Sequence, residues 1–220
     1  MFILGLTGPL ASGKSTVAEM FAKRGAAVIS ADALVHQLQA PGTPQTLMVA
    51  DILGVHVLDE DGRLDRSVLS RHIAKDPGVL GMLEGIFHPA VRSLTKYLIN
   101  QAAGEGKKVV VLDVPLLFET GLNLLCDSTA ICVTEPTTRR ARAFERPGMT
   151  DQKWQTFHSR RLPEHEAFKL AEHHINTTDS LARTKAIVES LYDHVAGLPG
   201  KAWPDAWLDV PDIATDAEEF

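Results

Sequence analysis

Phe2-Ile3-Leu4-Gly5-Leu6-Thr7 runs directly into Gly8-Pro9-Leu10-Ala11-Ser12-Gly13-Lys14-Ser15, and this junction decides how the chain is read. The first six residues are apolar without alternation, which suits a strand covered on both faces. After them the spacing G-x-x-x-x-G-K-S lets the backbone curl so that successive N–H groups point inward at an anion. Lys14 then reaches the β- and γ-phosphates, the Ser15 hydroxyl is placed to coordinate Mg²⁺, and the following helix turns its positive end toward the phosphates. A glycine-rich turn without a ligand would leave the lysine unexplained. Gly8, Ala11, Ser12, Gly13, Lys14, Ser15 and Thr16 are therefore read as nucleotide-binding. Since the Lys14 ammonium serves charge and no packing, its removal should leave the fold intact.

Beyond this junction the chain alternates. Further β-type runs fall at 26–30, 109–114 and 129–134, with a weaker one at 173–176, and helical patterns follow at 15–23 and 181–195. Such alternation predicts an α/β fold, a parallel five-stranded sheet with helices on both faces. Its core comprises 1–30, 105–138 and 172–196. The gap between the second and third runs is far longer than a simple crossover needs, so 31–104 is read as a helical insertion, with Leu80, Leu83, Phe87, Val91, Leu94 and Leu98 at near-helical spacing. Residues 139–171 are polar and arginine-rich around Arg146-Pro147-Gly148, the composition of a mobile lid. The tail 197–220 carries Trp203, Trp207 and a closing acidic run; it reads as loosely ordered, either free or with its tryptophans docked on the core, and as dispensable for catalysis beyond Leu198.

With 220 residues, 45% of them hydrophobic and 23% charged, one sizeable core is affordable. A net charge of −6 argues against nonspecific binding to nucleic acid or an anionic membrane. No run approaches a spanning helix and the first residues lack a secretory leader, so the chain reads as cytoplasmic; a monomer and a weak homo-oligomer are equally compatible with the sequence. Cys126 and Cys132 have neither metal-site spacing nor company for a disulfide framework, and read as reduced core residues.

Several residues have the right chemistry for phosphoryl transfer. Asp113 ends an apolar strand, where an acidic residue either holds Mg²⁺, partly through water, or caps the next turn. Asp32, just past the second strand, either accepts or orients a hydroxyl proton or N-caps the next helix; it would lie beside the phosphate loop if strands one and two are close neighbours. Arg139, Arg142 and Arg146 share a helix face, either solvated or neutralising a transferring phosphoryl group, with Arg160 and Arg161 further on. By spacing alone His88 reads as hydrogen-bonded structure before it reads as a ligand. Asn176-Thr177-Thr178-Asp179 lacks the lysine of a guanine-specific element, and Asp113-Val114-Pro115-Leu116 lacks a switch glycine, so Asn176 and Thr177 are read as backbone near an adenine.

Over residues 1 to about 196 the chain resembles the dephospho-coenzyme A kinases, a P-loop kinase family. The resemblance is carried by the phosphate loop, Val28-Ile29-Ser30-Ala31-Asp32, Gly62-Arg63-Leu64-Asp65-Arg66, Phe87-His88-Pro89, Val114-Pro115-Leu116-Leu117-Phe118-Glu119, and the lid run Arg142 to Thr150 with Arg160 beyond it. It implies ATP-dependent phosphorylation of the ribose 3′-hydroxyl of dephospho-coenzyme A, with ATP and Mg²⁺ as partners. Asp32 would be base or hydroxyl-orienting group; Lys14, Ser15, Arg142 and Arg146 would serve the phosphates. The insertion would bind the acceptor, with His88, Leu116, Leu117, Glu119 and Arg160 close to it. Ser30, Pro147, Ala167 and Phe168 depart from the family's usual residues.

Overall fold

Every residue of β1 (Phe2–Thr7) is buried, as is every residue of its neighbour β3 (Val109–Asp113). With β2 (Ala27–Ser30), β4 (Ser128–Val133) and β5 (His173–Asn176) they form one sheet of order β2-β3-β1-β4-β5, parallel at every pairing. Strands covered on both faces leave no place for polar side chains, which is why these read as unbroken apolar runs. The edge strand β5 buries only Ile175, and its sequence is correspondingly polar. The computed structural model describes residues 1–151, 154–155 and 162–213.

Phe2, Leu4 and Leu6 on one face of β1 join Val17 and Phe21 of α1 (Lys14–Arg24) in a core with Val188, Tyr192 and Val195 of α8 (Leu181–Ala196). Fully buried side chains of this size each contribute roughly 1.5–3 kcal/mol. On the opposite face a Cβ at Gly5 would lie 2.8 Å from Leu117 Cδ2, so this position must stay small for Leu117 to pack. Two contact-dense units separate within the chain, one of Met1–Ser30 with Asn100–Leu208, the other of Ala31–Ile99 with the chain from Asp209.

The second unit is helical: α2 (Ala31–Leu38), α3 (Pro44–Leu53), α4 (Arg66–Lys75) and the first part of α5 (Gly78–Gly104). Leu34, Leu38, Val49, Val57, Leu64 and Leu69 are buried, with Phe87, Val91 and Leu94 of α5. Of the positions predicted for α5's inner face, Leu80, Leu83 and Leu98 are only half-buried, and Ile99 is fully buried. Asp65 N-caps α4 by accepting from the Ser67 and Val68 amides at 2.7 and 3.2 Å. Hydrogen bonds from Ser67 and then from Val68 hold its carboxyl below the usual range. No helix among the described residues is long and apolar enough to cross a membrane.

The structure decides two points that the sequence left conditional. Strands one and two are not adjacent, because β3 lies between them with Asp113 opposite both Leu6 and Ser30. The tail is not loose as far as Val210. Trp207 is fully buried and donates from Nε1 to the Leu125 carbonyl at 2.9 Å. The Asp127 carboxylate accepts from the Lys201 and Ala202 amides at 2.5 and 2.7 Å on one oxygen, and from the Ile3 amide at 2.7 Å on the other. One buried indole outweighs the polar composition around it, since an aromatic of this size removes roughly 150–250 Å² from water. A chain ending at Leu198 would uncover that site, so truncation there is expected to lower stability. Trp207→Phe should lower stability by about 1–3 kcal/mol by leaving the Leu125 carbonyl without its donor. A melting temperature equal to that of the wild type would show that the bond contributes nothing.

Candidate active site

Residues 8–13 connect β1 to α1, and their backbone explains their composition. Gly13, at the N-cap of α1, has φ 82°, and Ala11 also takes a positive φ of 63°. Such conformations cost a non-glycine residue about 1–3 kcal/mol and concentrate at functional sites. A Cβ at Gly8 would lie 2.6 Å from Ser12 Oγ and 3.0 Å from the Cys132 Cβ, so glycine is needed there for close approach. No side chain caps α1, which leaves its first amides free for an anion. Ser12 Oγ is buried and has no hydrogen-bond partner among the described residues. A buried orphan oxygen inside a curled loop with free helix amides is the arrangement a polyphosphate completes.

The loop is held from behind by two threonines that the sequence reading did not assign this way. Thr134 Oγ1 and Thr177 Oγ1 lie 2.5 Å apart and donate to the Ser12 carbonyl at 3.1 and 2.6 Å. The Thr177 amide donates to Val133 O at 2.9 Å, and the Thr177 carbonyl accepts from Arg142 Nη2 at 3.0 Å. Thr177 is thus a buried brace for the loop. Asn176 Oδ1 accepts from the Thr178 amide at 2.8 Å. The position of both threonines, at or just beyond the carboxyl ends of β4 and β5, was the available signal, because loops at that end of a parallel sheet surround the ligand.

Lys14 forms a hydrogen-bonded ion pair with Asp113, and the two side chains are only 13% and 10% exposed. The pair brings together the cation expected for the phosphates and the carboxylate expected for the metal. Ser15 and Thr16 are exposed at the start of α1. A hydroxyl and a carboxylate are hard oxygen donors, the set that suits Mg²⁺. Nearby Cys132 is buried, and burial pushes its thiol and that of Cys126 up to about 12, so both stay protonated.

The arginines expected on one helix face play different parts. On α6 (Pro136–Phe144) Arg139 points inward, 4% exposed; its Nη1 is ion-paired with Glu164 without hydrogen-bonding geometry, and its guanidinium lies 5.5 Å from the Trp154 ring centre. It is structural. Arg142 is tied to Thr177, while Arg146 is exposed and its guanidinium has no partner among the described residues. Arg160 and Arg161 lie outside the described residues.

The run Leu116 to Glu119 also divides. Leu117 is fully buried against Gly5 and is a core residue, not part of a binding surface, because the sheet face needs a side chain where Gly5 supplies none. Leu116 is half-buried, and its carbonyl accepts from Thr120. Glu119 Oε1 accepts from the Leu162 amide at 2.9 Å, fastening the chain just ahead of α7 (Glu164–Leu170).

In the second unit Asp32 is the second residue of α2 and exposed, and its carboxylate makes no hydrogen bond among the described residues. It is therefore not an N-cap. His88 is exposed and lines a cleft of about 370 Å³ with Glu84, Pro89, Arg92 and residues 209–211. Pro89 has no N–H, so the Gly85 carbonyl in the same cleft lacks its helical donor. Behind the cleft Lys96 Nζ donates to Val210 O at 2.7 Å and pairs with Asp212 at 2.8 Å.

Comparison with known proteins identifies the family. The family model described as dephospho-CoA kinase matches residues 2–183. A dephospho-CoA kinase of Symbiobacterium thermophilum is 40% identical over 200 residues, spanning 91% of this chain and 84% of that protein. One of Mesorhizobium japonicum is 36% identical over 200 residues, spanning 91% of this chain and 100% of that protein. Among solved structures, TT1252 from Thermus thermophilus is 28% identical, with a TM-score of 0.67 over 90% of this chain and 98% of that one. A dephospho-CoA kinase from Campylobacter jejuni gives the same TM-score of 0.67 at 21% identity over 88% of this chain and 96% of that one, a likeness of fold. By the family model and by these relatives, the chain belongs to the dephospho-CoA kinase family, enzymes of the final step of coenzyme A biosynthesis.

Proposed function

We propose that the chain moves the γ-phosphoryl group of ATP onto the ribose 3′-hydroxyl of dephospho-coenzyme A through the residues described above. The observation that carries this reading is the phosphate cradle, with its orphan Ser12 Oγ and with Lys14 held ready against Asp113. In the reaction the bond from the γ-phosphorus to the β,γ-bridging oxygen breaks, a bond to the 3′-oxygen forms, and the hydroxyl proton passes to the Asp32 carboxylate. Because the transition state is largely dissociative, alignment and charge neutralisation do most of the work. Arriving phosphates give Lys14 a second anion and loosen its hold on Asp113. Ser15 and Asp113 would hold Mg²⁺, which when bound neutralises phosphate charge. Arg146, whose guanidinium has no partner among the described residues, meets the transferring group, and Arg142 steadies the loop through Thr177. His88 and its cleft serve the acceptor.

A coupled assay of ADP release tests the reading. Dephospho-coenzyme A should support turnover with ATP far above adenosine, AMP or shikimate. Equal rates with all four acceptors, or preference for AMP or shikimate, would assign the chain another substrate.

A further inference from the structure

We propose that Arg63 and Arg66, with His36 facing the same cleft, form the anion site that holds the diphosphate of the acceptor nucleotide; the proposal rests on the acceptor reading above. The three side chains line one cleft of about 380 Å³ in the second unit, separate from the cleft at His88. Neither guanidinium has a hydrogen bond or ion pair among the described residues. Two carboxylates share the cleft, yet both are engaged by backbone. Asp59 Oδ1 accepts from the Asp61 and Arg63 amides at 3.0 and 2.8 Å, and Asp65 Oδ1 caps α4. They shape the turn and leave the arginine charges without a partner among the described residues.

The backbone that carries the two cations is also held in place. Arg63 sits on a tight hairpin, where Leu58 and Leu64 bridge in antiparallel fashion, Gly62 takes φ 77° and the Asp59 amide donates to Arg63 O at 2.8 Å. Leu64 is buried just beyond it, and Arg66 is the first residue of α4, one position past the capping Asp65. Two planar guanidinium forks, one on the turn and one on the first residue of α4, match the paired oxygens of a diphosphate better than they match a single carboxylate.

The spacing to the reaction supports the same assignment. Asp32, His36 and Gln39 stand at i, i+4 and i+7, which places them in a stripe along one side of α2 and its continuation. Asp32 and His36 are separated by about 6 Å along the axis. In the acceptor, one ribose ring separates the reacting 3′-hydroxyl from the 5′-diphosphate, a comparable span. A hydroxyl at Asp32 thus directs the diphosphate along α2 toward His36 and the two arginines.

The test uses the full-length protein with its phosphate loop filled by a saturating non-hydrolysable ATP analogue. Inorganic pyrophosphate should bind this complex, and Arg63→Gln/Arg66→Gln should weaken it at least tenfold; Arg63→Lys/Arg66→Lys, which keeps charge and loses the fork, should fall between. Equal affinity in wild type and the Gln variant overturns the site. In steady state the Gln variant should raise KM for dephospho-coenzyme A tenfold or more and leave KM for ATP unchanged. Lost pyrophosphate binding with an unchanged acceptor KM overturns the assignment to the acceptor, leaving a site for free diphosphate. A wild type that does not phosphorylate dephospho-coenzyme A defeats the proposed function instead, and the pyrophosphate measurement still decides the anion site.

Discussion

Lys14→Ala is expected to slow phosphoryl transfer at saturating ATP by roughly a hundred- to a thousandfold, the usual effect of deleting a preorganised charge that meets the reacting group. It should also lower the melting temperature of the nucleotide-free protein, and here the structure changes the expectation. From sequence the lysine supports no packing; in the structure it neutralises Asp113, whose side chain is only 10% exposed. Removing one member of a buried ion pair leaves a charge without a partner, which destabilises more than the pair itself stabilised. The two effects separate in a double-mutant cycle. Lys14→Ala/Asp113→Asn should recover stability relative to Lys14→Ala, because no charge is then stranded, while turnover stays low. Single-turnover rates and thermal melts on the four proteins decide both points. Near-wild-type turnover in Lys14→Ala would remove it from the mechanism, and an unchanged melt would show that the pair contributes little.

The parts of the site written in short stretches were legible. Glycines at fixed spacing, a strand before them and a helix after them specify the phosphate loop, because close approach at Gly8 and the positive φ at Gly13 are local demands. The strands were legible for a similar reason, since burial on both faces leaves a continuous apolar run. What could not be read depends on partners far away in sequence. Trp207 finds its acceptor at Leu125, and the Asp127 carboxylate joins residues 201–202 to Ile3; the tail's tryptophans suit docking on a core, but nothing in its composition names these partners. Helical spacing put Arg139, Arg142 and Arg146 on one face but could not say that Glu164 and Trp154 would draw Arg139 inward. Likewise Leu117 resembles a binding residue in its motif until Gly5 is seen to leave it a place in the core. Thr134 and Thr177 become a pair only once β4 and β5 are known to be neighbours. The strand order itself, with β3 between β1 and β2, is a nonlocal fact of the same kind.

Asp32→Asn should reduce the single-turnover rate by roughly a hundredfold or more, in line with ordinary losses of general-base assistance. The substitution keeps shape and hydrogen-bonding capacity and removes the negative charge and the basicity. An N-capping role would predict no loss at all, because Asn caps as well as Asp. The structure speaks against that role: Asp32 is the second residue of α2, and its carboxylate holds no backbone amide among the described residues. Stability should therefore change little, through the weaker attraction of an uncharged side chain to the helix N-terminus. ATP affinity should also stay near wild type, because the phosphate loop, Lys14 and Asp113 are untouched. Measuring the single-turnover rate and ATP binding on one preparation distinguishes a lost base from a damaged nucleotide site. If ATP binding falls in parallel with the rate, Asp32 acts on the nucleotide; if more than about a third of the wild-type rate survives, it neither accepts the proton nor orients the hydroxyl.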